Sequence, residues 1–398
     1  MHLMTRRGLA LAVIVAVVAG LGWLAWPYVE GASFVVRAAD MQGPLRVAAD
    51  FITEPATERD FVIPVGGGLS ARAYEPIGGF RRAALLTSGL HPSGIDEPRL
   101  VALARQLSGS GIAVVTPDIP DLSRFAVTPA ITVAIEQAAG WLAADPRFAP
   151  DATIGLMGIS FSGGLSVVAA GRPSLRYKVA YVFAFGGHGD LPRVLRYLCT
   201  GQVPPPGATA MDARISGEPR TPPPPHDYGL AVLLFGLADR VVPTAQVGPL
   251  KGAVLRFLLA SALDRNDKPG AAREFSALRT FAPTLPEPSS TLLTYVNDRD
   301  VVHLGARLLP FIGAYGGDAP ALSASRAPKP AAPVFLLHGL ADNVIPADES
   351  VELADELRGH APVRLLLSAL ISHAETDRPA GAGDVLRLAG FWGDLLTR

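Results

Sequence analysis

The chain has 398 residues, 49% of them hydrophobic and 18% charged, a balance that belongs to folded, core-building sequences rather than disordered ones. Lys and Arg number 35 against 36 Asp and Glu, so the net charge is −1 and the basic surplus that a nucleic-acid binder needs is missing. The single cysteine, Cys199, excludes an intramolecular disulfide and any cysteine-based zinc or iron–sulfur site.

From Gly8 to Val29 no charged residue interrupts the chain, and as a helix those 22 positions would span about 33 Å, enough for a hydrocarbon core of about 30 Å. Arg6 and Arg7 precede the stretch, which predicts a cytoplasmic N-terminus and a body on the far side of the membrane. Trp23, Trp26 and Tyr28 stand where an interfacial aromatic belt would lie. The alternative is a cleaved signal peptide, whose apolar region is usually about 7–15 residues; this one is longer, and Trp26–Ser33 makes a poor cleavage site. Residues 1–30 are thus expected to be a transmembrane anchor or signal segment, and 31–58 a juxtamembrane linker. The body would be extracytoplasmic, either anchored through residues 8–29 or secreted after cleavage.

Two runs, Asp60–Val65 and Leu69–Tyr74, flank Gly66-Gly67-Gly68 and predict a β-hairpin. Short apolar runs follow at Ala83–Thr87, Ile112–Val115, Thr153–Gly158 and Val179–Phe185, each reading as a buried strand. Helical stripes lie between them: Leu100, Leu103, Ala104 and Leu107; Ile131, Ala134, Ile135, Ala138 and Leu142; and a stretch beginning near Gly163. The pattern resumes with a strand at Val334–Leu337, a helix around Glu349–Leu357, a strand at Val363–Leu367 and a helix at Asp384–Leu396. Such alternation implies an α/β fold, a mostly parallel sheet with helices on both faces. Its two core parts are residues 59–190 and 331–398. Between them, 191–330 opens with the proline runs at 204–206 and 222–225 and then turns helical, an insertion on the sheet.

Ile154–Gly164 reads as strand, tight turn and helix start, with Ser160 on the turn. A serine placed there stands exposed above the sheet, and the cramped turn requires tiny residues two positions before and after it. Gly158 meets that need; Ser162 replaces the usual second glycine. Ser162 is itself the alternative nucleophile in the frame Ser160–Gly164. A serine hydroxyl needs a base beside it, and His373 lies just beyond the last buried strand. Asp342, in the turn after the strand Val334–Leu337, is the carboxylate that would orient that base; Asp239, in the repeat-like Gly236–Pro243, and Asp190 are its competitors. The order Ser160, Asp342, His373 places each group after the C-terminal end of a strand, where parallel sheets build their ligand crevices. No histidine pair has metal-ligand spacing; His338 reads as loop packing, and His226, His303 and His360 as solvated. Cys199 reads as a packed thiol.

Together the strand–Ser160–helix turn, the acid turn His338-Gly339-x-x-Asp342-x-x-Ile345-Pro346 and the late His373 resemble the α/β-hydrolase family over about Phe61 to Leu396, with 191–330 as a helical cap. The resemblance implies a serine hydrolase that needs no cofactor. It implies an oxyanion hole from the N–H of Phe161 and one N–H of the loop Ser88–Pro92, with Leu90 the first candidate and Gly89 or His91 the others. His91, beside that loop, and His188, in Gly186–Asp190, are candidates for lining the substrate pocket; the alternative for each is a packed turn residue. The expected activity is hydrolysis of a small, hydrophobic carboxylic ester. A peptidase or amidase on the same scaffold, or an idle scaffold used for binding, are the other readings.

Overall fold

The computed structural model describes residues 6–203, 222–316, 319–371 and 382–398, with backbone only at 6–19, 21, 23 and 382. Among the described residues stand eight strands: β1 (Ala56–Ile63), β2 (Leu69–Pro76), β3 (Arg82–Thr87), β4 (Ile112–Pro117), β5 (Ile154–Ile159), β6 (Val179–Phe185), β7 (Val334–Gly339) and β8 (Val363–Ser368). They form one sheet in the order β1-β2-β4-β3-β5-β6-β7-β8. The expected hairpin is β1–β2, and β2 also pairs antiparallel with β4; every other pairing is parallel.

Parallel strands buried on both sides need apolar residues on both faces, and period-two alternation sorts them. Ala83, Leu85, Val115, Leu156 and Leu336 pack into one core, whereas Ala84, Leu86, Val114, Met157 and Leu337 pack into the other. The helices in chain order are α1 (Arg6–Ala38), α2 (Pro44–Phe51), α3 (Pro98–Ser108), α4 (Pro120–Ser123), α5 (Pro129–Ala144) and α6 (Phe161–Ala170). The stretch after β6 then supplies α7 (Leu191–Thr200), α8 (Asp227–Val241), α9 (Thr244–Leu263), α10 (Lys268–Phe281), α11 (Ser289–Asn297) and α12 (Val301–Leu308). Finally α13 (Asp348–Leu357) follows β7 and α14 (Ala382–Leu396) follows β8. The first core is roofed by α5, α6 and α13 and runs without a break into the insertion, through Leu230, Leu234, Leu250 and Val254. The second is covered by α3, α14 and the end of α1.

That last contact corrects the expected linker over 31–58. Helix α1 runs unbroken to Ala38 and crosses α14 backbone against backbone. A Cβ on Gly31 would stand 1.9 Å from the Ala389 carbonyl oxygen, and one on Gly393 2.2 Å from that of Pro27, so only glycine fits either place. Phe34 and Trp392 bring their ring centroids to 4.0 Å, and Phe34 is fully buried. Arg37 is buried too, donating to Gln106 Oε1 at 2.7 Å and Ser110 Oγ at 2.8 Å. Sequence periodicity shows no such seam because its two halves lie some 350 residues apart. Among the described residues, no helix is long and apolar enough to cross a membrane.

Candidate active site

β5 ends at Ile159 and α6 begins at Phe161, leaving Ser160 alone to turn the chain. It does so at φ 55° and ψ −128°, a left-handed conformation that typically costs a non-glycine residue about 1–3 kcal/mol. The surroundings enforce it. Ser160 N–H donates to the Phe185 carbonyl at the end of β6 at 2.6 Å, and its own carbonyl accepts from Gly163 N–H at 2.8 Å. Gly158 has no room for a side chain, since a Cβ would lie 2.3 Å from the Ser162 carbonyl oxygen.

Ser162 is fully buried and its hydroxyl donates to the Ser88 carbonyl, tying the first turn of α6 to the loop after β3. That engagement ties up the Ser162 hydroxyl and gives serine a structural part where glycine was expected. The tied loop passes directly over Ser160: a Cβ on Gly89 would sit 3.7 Å from Ser160 Oγ. Among the described residues the N–H groups of Phe161 and Leu90 meet no protein acceptor. Two unpaired donors therefore lie on the residue after the serine and in the loop over it, the kind of group that a developing oxyanion requires.

Sheet order and this elbow decide the architecture. The chain has an α/β-hydrolase fold. No family model matches the sequence, and no curated relative does. Among solved structures, the chain is similar to a hyperthermophilic esterase from the archaeon Pyrobaculum calidifontis, at 16% identity and TM-score 0.45 over 94% of this chain and 92% of that one. It is similar to a thermophilic carboxylesterase cloned from a metagenomic library, at 17% identity and TM-score 0.44 over 92% and 95%. The acylaminoacyl peptidase of Pyrococcus horikoshii aligns at 12% identity and TM-score 0.43 over 88% of this chain and 42% of that one.

Asp342 lies two strands from the elbow, in the turn after β7. It is fully buried, and its Oδ1 accepts from the N–H groups of Val344 at 2.9 Å and Ile345 at 3.0 Å. Oδ2 stands 3.3 Å from Nε2 of His338. The His338 ring is itself held, with Nε2 at 2.9 Å from the Ile345 carbonyl and Nδ1 at 2.6 Å from Ser350 Oγ. A carbonyl can only accept, so Nε2 carries the hydrogen and the ring steadies the acid from beneath. His338 is thus more than loop packing, and its spacing of four residues from Asp342 was the signal. His373 lies outside the described residues. The chain leading toward it is placed as far as Ile371, whose carbonyl oxygen passes 2.4 Å from where a Gly339 Cβ would be, over the start of the acid turn.

The competitors for the acid are otherwise engaged. Asp239 is exposed on α8 beside Arg240. Asp190 caps α7 through the Arg193 N–H at 3.0 Å and takes Ser325 Oγ and Arg326 Nε, each at 3.0 Å.

His188 is not a pocket residue. Its ring is fully buried, stacks on Phe161 at 4.8 Å and 6°, and directs Nε2 to the Leu322 carbonyl at 2.8 Å. Burial pushes its pKa down from 6.5 to about 4, so it stays neutral near pH 7. The ring supports Phe161, whose N–H is the first oxyanion candidate. His91 is partly buried, with Nδ1 accepting from Ser93 N–H at 3.2 Å, and burial lowers its pKa. In the insertion, His226 caps α8 and His303 is exposed beside Asp300. Cys199 is buried, which pushes its thiol up to about 12 and leaves it unreactive.

Proposed function

We propose that this chain is a serine hydrolase of carboxylic esters, with Ser160 as nucleophile, His373 as base and Asp342 as the group that orients it. The observation that carries the reading is the strained Ser160 elbow, set between the unpaired N–H groups of Phe161 and Leu90. In this scheme Ser160 Oγ attacks the ester carbonyl as His373 takes its proton. Asp342 supports the imidazolium, and the two N–H groups take the charge on the carbonyl oxygen. The alcohol leaves with the proton from His373, and a water activated by the same ring releases the acyl group. No cofactor enters. The apolar insertion above the site fits a substrate with a hydrophobic portion.

Residues 8–29 are proposed to anchor the enzyme in a membrane, with the body extracytoplasmic. In support, the apolar stretch follows Arg6 and Arg7 and forms part of the continuous helix α1. A topology reporter fused after Arg398 should be active only outside the cytoplasm, and cytoplasmic activity would refute the anchor.

The chemistry is tested with a fluorophosphonate probe on wild type, Ser160→Ala and Ser162→Ala. Labelling should vanish in Ser160→Ala alone. Ser162→Ala should label but lose about 1–3 kcal/mol of stability, because the buried Ser88 carbonyl is left unpaired. Loss of labelling only in Ser162→Ala would overturn the assignment. Turnover of p-nitrophenyl esters over amino-acid anilides separates an esterase from an amidase.

A further inference from the structure

One helical turn of the insertion touches both halves of the site. Helix α8 starts at Asp227, with His226 as its cap. The hydroxyl of Tyr228 donates to the Leu90 carbonyl at 3.2 Å, across 138 residues of sequence. The main-chain N–H of His226 donates to the Asn343 carbonyl at 2.8 Å, next to Asp342. The turn is stiff. Tyr228 N–H returns to His226 Nδ1 at 3.1 Å, Arg299 pairs with Asp227 at 2.9 Å, and the Tyr228 ring meets the buried Phe125 edge-on at 6.0 Å. Burial raises the phenol's pKa, so it remains a donor throughout the neutral range.

Peptide units are rigid planes, so a loop is positioned by whichever of its planes are pinned. In the loop after β3, the plane carrying the Ser88 carbonyl is pinned from the core by Ser162, and the plane carrying the Leu90 carbonyl is pinned from the insertion by Tyr228. The plane between them carries the Leu90 N–H. It is fixed from both sides, although the N–H itself meets no protein acceptor.

We propose that the turn His226–Tyr228 is a positioning element of the active site: Tyr228 sets the oxyanion loop through the Leu90 carbonyl, and the His226 N–H sets the acid turn through Asn343. The insertion is then part of the catalytic geometry as well as a roof. This inference rests on the serine-hydrolase reading, and its experiment separates the two.

Tyr228→Phe keeps the ring on Phe125 and removes only the hydroxyl. Removing an oxyanion donor outright typically costs about 10²–10³ in kcat, so loosening one should cost about tenfold. The expected result is that fall in kcat for a p-nitrophenyl ester, with KM within about twofold of wild type. Amide exchange of the segment 88–91 should rise in the same variant. For the second bond, His226 has φ −76°, which proline's fixed φ accommodates, so His226→Pro deletes the N–H at little backbone cost. His226→Ala is its reference, lacking the side chain but keeping the N–H. The proline variant should have kcat at least about fivefold below the alanine one, with faster exchange at 342–345. Wild-type kcat together with unchanged exchange in Tyr228→Phe would overturn the first half, and equal behaviour of the two His226 variants the second. If fluorophosphonate fails to label wild type, the hydrolase reading falls. The exchange measurements then still decide whether the turn holds both loops.

Discussion

Gly158→Ala puts the whole elbow under test with one methyl group. The added Cβ would lie 2.3 Å from the Ser162 carbonyl oxygen and 2.6 Å from Ser166 Oγ, whereas ordinary contact begins near 3.4 Å. The first turn of α6 must therefore retreat by about 1 Å, since β5 behind the glycine is locked between β3 and β6. That turn carries the Phe161 N–H, and Ser162 on it holds the Ser88 carbonyl, so Ser160, that N–H and the loop after β3 lose register together. A misplacement of about 1 Å costs roughly 100-fold in rate, and overpacking a filled core costs about 1–3 kcal/mol. A domain stable by about 5–15 kcal/mol remains folded after such a loss, so slower chemistry would not be unfolding in disguise. The assay is the second-order rate of fluorophosphonate labelling, with urea unfolding alongside. Gly31→Ala is the control: its Cβ would stand 1.9 Å from Ala389 O, at the α1–α14 crossing and away from the elbow. It should lower stability by about as much and leave the labelling rate alone. Wild-type labelling of Gly158→Ala, or equal slowing in Gly31→Ala, would refute the steric account.

Two further outcomes follow from buried groups. His188 takes a proton near pH 6.5 when unfolded but resists it down to about 4 when folded, so its contribution is complete above pH 6.5 and is lost as pH falls toward 4. That window should cost wild type about 3 kcal/mol more than His188→Gln, measured by urea unfolding at pH 7 and pH 4; parallel losses would show that another group controls acid sensitivity. Phe34→Ala removes a fully buried ring packed against Trp392 and should destabilise by about 3–5 kcal/mol, whereas a change below about 0.5 kcal/mol would mean that this part of α1 is a linker after all.

Features encoded locally were legible in the sequence. Each central strand appeared as a short apolar run, because burial on both faces leaves no polar position to interrupt it. The turns that hold Ser160 and Asp342 were legible for a related reason: the constraints on each fall within a few residues, Gly158 behind the serine and His338 four residues before the carboxylate. His188 was legible only as a choice between a pocket residue and a packed turn residue, and the structure takes the second. Its burial depends on Phe161 before it and Leu322 far after it. The α1–α14 seam was hidden for the same reason, as glycines that let two backbones touch look like any others until the partner helix is known. Tyr228 carried no local signal at all, because a tyrosine near a helix start is shaped by whatever lies opposite.

Those hidden contacts share a consequence for how the site is held. The strain at Ser160 is local, but what resists its release comes from β6 through the Phe185 carbonyl, from the β3 loop through Ser162 and from His188 behind Phe161. Helix α8 holds the same loop from its other side. A residue in an unfavourable backbone state persists only when its neighbours over-determine it, and here they are drawn from both core and insertion. The fold is therefore asymmetric in its tolerance. Single contacts on the outer face of the insertion touch none of these partners, whereas the small residues around positions 158 to 164 and the first turn of α8 pass any displacement on to Ser160.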